Sequence, residues 1–373
     1  MIYLDNAATT LLKPAAVGRA MLRAMQTCAS PGRGGHRAAM RASELVFRCR
    51  ATAAELFHVP EPENVVFTMN ATHALNIAIA SLVKPGTRVL ISGYEHNAVT
   101  RPLRKAGAEL IIARSPLFDQ AACLQAFAER IGEADAVVCT MASNVFGFIL
   151  PMREIAALCK KENVPLIVDA SQAAGALDVD FESLHAAFLA MPGHKGLFGP
   201  QGTGMLLCRE AGEVLLAGGS GSDSILQEMP AYLPDRHEAG THNVPGIAGL
   251  LAGMEYVRAK SPAAILREER ALLREAVAGL RGAEKVELFC GPEEVQSGVL
   301  SFRLRGLDAD EAARELSERG ICLRSGLHCA PLAHESAGTL DTGTLRASFS
   351  PFVAPEEIRQ FCAAVRESSR AAH

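Results

Sequence analysis

Short apolar runs alternate with longer segments of helical periodicity between about residues 60 and 210. The apolar runs lie at 65–67, 89–91, 110–112, 136–138, 166–168 and 188–190. The segments of helical period lie at 71–83, 96–106, 119–131 and 152–162, with a further short helix predicted after Ser171. This alternation is typical of βαβ units on a parallel sheet that is covered on both faces. The pattern therefore predicts an α/β fold with a mostly parallel sheet, preceded by helices at 14–28 and 37–57.

The pattern changes after residue 210. Residues 211–244 are rich in glycine and proline and lack a clear period, which predicts a long loop of the kind found in lids and interfaces. The elements predicted beyond it are helices at 262–281 and 309–319 (Asp308 as N-cap, Gly320 past the end), strands at 285–289, 298–304, 321–324 and 344–349, and a last helix from Pro355. We predict a large domain over 15–255 and a smaller α+β domain formed by 1–14 and 256–373.

Composition narrows the possible functions. The 373 residues are 49% hydrophobic and 21% charged, with a formal net charge of -4, so no basic field favours nucleic acid or a membrane surface as partner. No apolar run approaches the roughly 18 residues that a membrane-spanning helix needs, and the first residues do not form a cationic segment followed by a long apolar segment. The ten cysteines include no Cys-x-x-Cys pair, so we expect reduced thiols, no metal site and a cytoplasmic protein.

Polar residues follow five of the six apolar runs of the predicted sheet. The five groups are Asn70-Ala71-Thr72, Glu95-His96-Asn97, Ser143-Asn144, Asp169 with Ser171 and Gln172, and His194-Lys195 before a glycine-rich stretch. Because ligands bind at the carboxyl ends of parallel strands, five such groups at one sheet edge predict a pocket.

The residue types in this pocket suggest a cofactor. The helix start at Ala71-Thr72 suits a phosphate, although Thr72 could equally be a simple helix cap. Asp169 ends a buried strand and needs a cation, a metal or a structural ion pair. Lys195 could be an amine nucleophile or a solvated loop residue. Together with His96 as a ring-stacking group, these residues fit pyridoxal phosphate, which bonds to a lysine and pairs its pyridinium nitrogen with a carboxylate.

Two residues of the predicted small domain add chemistry. Cys329 lies in a loop-like stretch between an arginine and a proline, so it is a candidate nucleophile, or simply one of ten cysteines. Arg346 falls in an apolar strand, where its guanidinium needs a carboxylate from a substrate or from an internal ion pair.

These residues lie in motifs that, in chain order, resemble the cysteine desulfurase family, part of the class V aminotransferase group of fold-type I pyridoxal-phosphate enzymes. The resemblance runs from residue 3 to about 352, and the short loop around Cys329 is similar to the branch that includes selenocysteine lyases. The motifs are Tyr3-Leu4-Asp5-Asn6-Ala7-Ala8-Thr9, Gly32-Arg33-Gly34-Gly35-His36, Glu95-His96-Asn97-Ala98, Ser143-Asn144-Val145, Val168-Asp169-Ala170-Ser171-Gln172, Gly193-His194-Lys195, Ala239-Gly240-Thr241 and Arg324-Ser325-Gly326-Leu327-His328-Cys329-Ala330.

The resemblance implies a role for each candidate residue. Lys195 would be the Schiff-base lysine and Cys329 the sulfur acceptor, with L-cysteine converted to L-alanine and a persulfide left on Cys329. Ala71, Thr72 and His194 would bind the phosphate, which Thr241 would reach from the other subunit of a homodimer. Asp169 would pair with the pyridinium nitrogen, Gln172 would donate to the ring oxygen, and His96 would stack on the ring and transfer protons. Asn144 and Arg346 would bind the substrate carboxylate.

Two departures from the family pattern leave alternatives open. Pro192 replaces a hydroxyl residue that many relatives place near the phosphate, and Leu327 replaces a histidine common in short-loop enzymes. A selenocysteine lyase or another pyridoxal-phosphate β-eliminating lyase is the main alternative, and an inactive sulfur-binding protein of the same fold is the second. A hydrolase built on Cys329 and His328 is disfavoured, because adjacent residues rarely point at one another. The protein that receives the sulfur stays open, as does the purpose, whether iron–sulfur cluster assembly, tRNA thiolation or selenium recycling.

Overall fold

The computed structural model describes residues 1–32 and 34–371, so Arg33 of the glycine-rich motif lies outside the described residues. A first short strand, β1, spans Ile2–Tyr3. The main sheet has seven strands: β2 (Val65–Thr68), β3 (Arg88–Ser92), β4 (Glu109–Ala113), β5 (Ala136–Thr140), β6 (Leu166–Asp169), β7 (Phe188–Pro192) and β8 (Gly204–Cys208). Their order is β2-β8-β7-β6-β5-β3-β4, and only β8 runs antiparallel to its neighbours. The prediction of a mostly parallel sheet is confirmed.

The central strands are apolar along their whole length because each face of the sheet packs on a separate core. In β5, Val137 and Cys139 belong to one cluster of buried side chains, whereas Val138 between them belongs to another. Ile167 and Val168 of β6 divide in the same way. Successive residues of a strand point to opposite faces, so a strand covered on both sides is an unbroken apolar run.

Seven helices accompany this sheet. They are α1 (Ala15–Thr27), α2 (Arg37–Phe57), α3 (Ala71–Leu82), α4 (Asn97–Lys105), α5 (Gln120–Arg130), α6 (Met152–Lys161) and α7 (Val244–Lys260). The first six agree with the predicted ranges to within about two residues. Helix α7 is not predicted by the sequence pattern, because it is buried on most sides and shows no single apolar stripe.

The short helix predicted after Ser171 is wrong, since residues 171–177 form turns and an isolated bridge. Gly175 there has a φ of 95°, and a Cβ at this position would overlap the Gly196 carbonyl. Only glycine permits this backbone conformation and so close an approach. The turn after β6 is thereby packed directly on the loop that follows Lys195.

The remaining strands form a four-stranded antiparallel sheet in the order β12-β13-β10-β9. Its strands are β9 (Val286–Phe289), β10 (Val299–Leu304), β12 (Arg324–Gly326) and β13 (Thr344–Ser348), while β11 (Ile321–Cys322) pairs in parallel with β1. The helices are α8 (Pro262–Leu280), α9 (Ala309–Glu318), the unpredicted α10 (Pro331–Ala337) and α11 (Pro355–Ala371). Asp308 caps α9 as predicted, because its carboxylate accepts from the backbone N–H groups of Asp310 and Glu311.

The first ten residues connect the two sheets. The Asn6 side chain donates to the Ser348 carbonyl (2.9 Å), and the Ala7 N–H donates to the Ser348 hydroxyl (2.8 Å). A few residues later, the Thr10 N–H donates to the His194 carbonyl (3.1 Å). This segment therefore ties the end of β13 to the loop after β7.

None of the helices within 1–32 and 34–371 is both long enough and apolar enough to cross a membrane.

Candidate active site

A pocket with an empty volume of about 780 Å³ lies at the carboxyl ends of the parallel strands. Nine of the eleven candidate residues line it: Ala71, Thr72, His96, Asn144, Asp169, Gln172, His194, Lys195 and Arg346. These residues come from five separate strand ends and from β13, so the pocket is where the two sheets meet. The expected convergence at the edge of the parallel sheet is thus present in the structure, and Cys329 and Thr241 are the two candidates outside the lining.

One end of the pocket is built to accept an anion. Asn70 caps α3, because its side-chain oxygen accepts from the His73 N–H (2.9 Å), so Thr72 is not the cap. Within the described residues, the N–H groups of Ala71 and Thr72 have no acceptor, and the buried Nδ1 of His194 has no partner. Free N–H groups at the positive end of a helix dipole favour a phosphate or similar group.

Asp169 and Lys195 follow neighbouring parallel strands, with Asp169 paired in register with Ala190 of β7. Asp169 is 2% exposed, and one carboxylate oxygen accepts from the Ser171 N–H (2.9 Å). It forms no ion pair with any described side chain, so its charge is left for a cationic ligand. Burial lowers the pKa of Lys195 to about 8, and the positive charge of Arg346 acts in the same direction.

His96 is the N-cap residue of α4, and its Nδ1 accepts from the Ala98 N–H (2.9 Å). Burial, assisted by the charge of Lys195, lowers the pKa of His96 to about 4. The ring is therefore neutral at pH 7 and carries its proton on Nε2. Gln172 lies nearby on the wall of the pocket, where its side-chain amide donates to the Ala7 carbonyl (3.0 Å).

The lining of the pocket also includes a buried guanidinium. Arg346 is 1% exposed, donates to Asp5 Oδ1 (2.6 Å) and donates to the Asn144 carbonyl (3.0 Å). Its Nε has no partner within the described residues. The internal ion pair and a role in binding a carboxylate are thus compatible, because one carboxylate does not saturate the five N–H groups of an arginine.

Cys329 lies in an exposed loop next to the pocket, and its carbonyl accepts from the Asn97 N–H at the start of α4 (2.7 Å). Thr241 is exposed in a separate cleft, which it lines with Glu238, His242 and Asn243. Glu238 is buried there and forms an ion pair with Arg50 of α2. Thr241 therefore follows a firmly anchored residue but does not face the pocket of its own chain.

Three residues with no predicted site role belong to this region. Arg324 and His328 line the pocket, and Arg324 stands directly opposite Arg346 in the register of β12 with β13. Glu95 is fully buried next to His96; burial raises its pKa to about 8, and its Oε2 has no partner within the described residues. The sequence signal that could have identified these three residues is their position, because each lies in a motif that already contains a candidate site residue.

Residues 2–361 match the family described as aminotransferase class-V, and the chain belongs to this family. Within it, a protein of Methanothermobacter thermautotrophicus named probable cysteine desulfurase is 31% identical over 378 residues, which cover 96% of this chain and 92% of that protein. A probable cysteine desulfurase of Pyrococcus abyssi is 31% identical over 386 residues, which cover 98% and 94%.

Solved structures agree. The apo cysteine desulfurase of Thermococcus onnurineus NA1 superposes with a TM-score of 0.90 at 32% identity, covering 99% of this chain and 95% of that one. The Escherichia coli cysteine desulfurase in its S-sulfonic acid form has a TM-score of 0.85 at 26% identity, covering 100% and 95%. The fold and family predictions are confirmed, and these sequence relatives and structural neighbours are cysteine desulfurases.

Proposed function

We propose that this protein is a pyridoxal-phosphate-dependent cysteine desulfurase that converts L-cysteine to L-alanine and receives the sulfur on Cys329. The observation that carries the proposal is the pocket itself. It brings an amine with a lowered pKa (Lys195), an unpaired buried carboxylate (Asp169) and free helix N–H groups together beside a buried arginine. Full-length similarity to cysteine desulfurases supports the same function.

The residues of the pocket fit the cofactor. Aminotransferase class-V enzymes in general use pyridoxal phosphate, which supplies an aldehyde for attachment and an electron sink for the substrate α-carbon. Three features of the pocket lack a matching partner in the described protein: the N–H groups at the start of α3 and His194 Nδ1 have no hydrogen-bond partner, and the carboxylate of Asp169 has no cationic partner. A phosphate and a pyridinium nitrogen would satisfy all three.

Each residue then has a specific task toward the cofactor. Ala71, Thr72 and His194 would hold the phosphate, and Asp169 would keep the ring nitrogen protonated. His96 would stack on the ring and Gln172 would donate to the ring oxygen. Lys195 would form the covalent attachment and, once displaced by the substrate amine, would move the proton at the substrate α-carbon, for which its lowered pKa is suited.

Arg346 would bind the substrate carboxylate, with Asn144 beside it. The Asp5 carboxylate holds the guanidinium in the wall of the pocket, so the arginine is oriented before the substrate arrives. The Cys329 thiolate would then attack the substrate sulfur. The bond from that sulfur to the substrate Cβ would break, leaving a persulfide on Cys329, and Cβ would gain a proton to become the methyl group of alanine.

A homodimer would complete the site through Thr241. This residue faces away from the pocket of its own chain, which supports the proposal that it reaches the phosphate of a second copy. Exposed apolar side chains on α1, α2, the residue before the α3 cap and the 211–244 segment offer a surface for that copy. They are Leu22, Met25, Met40, Phe47, Met69, Leu215, Leu216, Ile225, Leu226 and Tyr232.

We also propose that the chain divides into the two predicted domains, with the second boundary moved from residue 255 to Ser261, between α7 and α8. A separate cluster of buried residues that includes Leu4, α8, β10, β13 and α11 supports a small domain.

A reducing, cytoplasmic location is supported by ten cysteines that are all free. Transfer of the sulfur to an acceptor protein is proposed as the following step.

The test is to incubate the purified holoenzyme and its Cys329→Ser variant with L-cysteine and a reductant and to measure alanine, sulfide and persulfide. We expect equal amounts of alanine and sulfide from the wild type, a persulfide on Cys329 before reduction, and neither product above background from the variant. Equal activity of the variant would refute Cys329 as the acceptor. A coloured protein that acts on L-selenocysteine but not on L-cysteine would favour the lyase alternative.

A further inference from the structure

We propose that Asn144 is a positioning residue for the acceptor thiol, holding the Cys329 loop, defined here as residues 327–330, through its side-chain amide. This inference rests on the proposed function, in which Cys329 receives sulfur. The family resemblance implies that Asn144 binds the substrate carboxylate. The proposal adds a second task, the positioning of Cys329 for sulfur transfer.

The backbone of the Cys329 loop needs external support. His328 and Cys329 are consecutive residues in the left-handed region, with φ values of 49° and 57°. The turn is closed by the Ala330 N–H, which donates to the Leu327 carbonyl (2.9 Å). Residues other than glycine rarely adopt this region, and two in succession persist only where the surrounding structure holds them. The loop therefore depends on its contacts with the rest of the protein.

Several contacts hold it, including the stacking of the His328 ring on the His334 ring (centroids 5.8 Å apart). The Asn144 side-chain amide donates to the His328 carbonyl (2.8 Å), and the Asn97 N–H donates to the Cys329 carbonyl (2.7 Å). The His328 ring approaches the Thr344 carbonyl and hydroxyl (3.1 and 3.2 Å). Within the described residues, Asn144 is the side chain outside the loop that bonds to the backbone of the two left-handed residues. It is therefore the contact whose loss should relax the loop.

Asn144 is itself firmly placed. It is buried at the start of the turn formed by residues 144–146, and its own carbonyl accepts from Arg346 (3.0 Å). A continuous series of hydrogen bonds thus runs from the guanidinium that faces the pocket, through Asn144, to the carbonyl adjacent to Cys329. The side-chain nitrogen of Asn144 carries two N–H groups. Because one of them donates to the His328 carbonyl, the direction of the other N–H group is also fixed.

The test compares the wild type with Asn144→Ala, and with Asn144→Ser if the alanine variant loses the cofactor. Iodoacetamide alkylation of the holoenzyme is followed by peptide mass spectrometry, with the exposed Cys290 as a reference within the same molecule. We expect the ratio of alkylation rates, Cys329 to Cys290, to rise at least about threefold, because loss of one hydrogen bond releases the strained loop. An unchanged ratio would overturn the proposal.

A second measurement separates positioning from substrate binding. Single-turnover persulfide formation in Asn144→Ala, measured at saturating L-cysteine, should slow at least about tenfold, because saturation compensates for weaker carboxylate binding but not for a displaced thiol. Spectroscopic binding of L-alanine measures the carboxylate-binding role separately. A tenfold loss of L-alanine affinity with an unchanged alkylation ratio would assign Asn144 to the carboxylate alone and refute the proposal. The matched control is Asn64→Ala. Asn64 is half-buried before β2 and makes no side-chain hydrogen bond to described residues, so the alkylation ratio and the rate of persulfide formation should equal those of the wild type.

Failure of the proposed function gives a different result. If the wild type forms no persulfide on Cys329 from L-cysteine, the acceptor assignment fails at that point, and the alkylation ratio still reports whether Asn144 holds the loop.

Discussion

The pocket at the sheet edge and the Cys329 loop beside it are held in place by different physical means. Asp169 is the last residue of β6 and Lys195 follows β7; every residue of these two strands is buried, and their register is set by backbone pairing. Cys329 is exposed on irregular backbone with a positive φ and is held by a few hydrogen bonds. The first arrangement is determined by packing over many residues, while the second depends on single contacts.

This difference suits the two proposed tasks. A cofactor that stays bound through every turnover needs a rigid, dehydrated site, and burial supplies both the rigidity and the lowered pKa of Lys195. A thiol that must receive sulfur and then release it to an acceptor has to remain accessible. We therefore expect substitutions at the sheet edge to affect cofactor chemistry, and substitutions around the loop to affect sulfur transfer alone.

The largest effect is expected from Lys195→Ala. This variant removes the amine that would bind the cofactor covalently, so the absorbance of the attached cofactor should disappear and turnover should fall by at least about 10³-fold. Cys329→Ser is the control, since it should keep the wild-type spectrum. Identical spectra for the wild type and Lys195→Ala would contradict the role of Lys195 and the contrast between the two regions.

Arg346→Lys tests whether the guanidinium in the pocket binds the substrate carboxylate. Lysine keeps the positive charge but cannot form the planar, two-pronged contact with a carboxylate, so KM for L-cysteine should rise about tenfold or more. Arg303→Lys on β10, which pairs with Glu287, is the matched control and should leave KM unchanged. A KM for Arg346→Lys equal to that of the wild type would rule out carboxylate binding by this residue.

The pH dependence of cofactor recombination tests the burial of Lys195. Burial lowers the pKa of this amine from its ordinary 10.5 to about 8, and only the neutral amine attacks an aldehyde. The recombination rate of the apoenzyme with pyridoxal phosphate should therefore increase from pH 6 and level off once the pH exceeds about 8. A rate that keeps increasing tenfold per pH unit up to pH 10 would show an ordinary, solvated lysine.

The smallest effect on turnover is expected from Glu95→Gln, at the buried residue that precedes His96 and does not line the pocket; its effect is expected on stability. Burial raises the pKa of Glu95 to about 8, so the folded protein keeps a proton that the unfolded chain releases above pH 4.5. The stability that Glu95 contributes is complete below pH 4.5 and is lost as the pH rises to about 8, whereas glutamine does not titrate.

Thermal unfolding of the apoprotein measures this difference. Relative to the wild type, Glu95→Gln should gain on the order of 4 kcal/mol between pH 5 and pH 8, at about 1.4 kcal/mol per pH unit. The exposed Glu61→Gln is the control and should show no such change. An equal stability difference at both pH values would mean that Glu95 titrates normally.

Much of the sheet edge could be predicted from the sequence because its signals are local. An apolar run such as 166–168, placed between segments of helical period, predicts a strand covered on both faces, and the residue that ends it is then expected at the sheet edge. Helix α7 could not be recognised, since a helix buried on most sides has no amphipathic period. The cap of α3 was equally ambiguous, because Asn70 and Thr72 are both good capping residues and only the backbone shows that Asn70 caps.

By itself, the sequence determined the alternation of strands and helices from β2 to β7, the mostly parallel sheet and the position of Asp169, Lys195 and Arg346 at strand ends or in strands, because hydrophobic periodicity is a property of neighbouring residues. Only the tertiary structure decided which distant groups meet. Arg346 contacts Asp5 across 341 positions, and Asn144 reaches the His328 carbonyl across 184. Such hydrogen bonds depend on how two sheets pack against each other, and no local pattern records that packing.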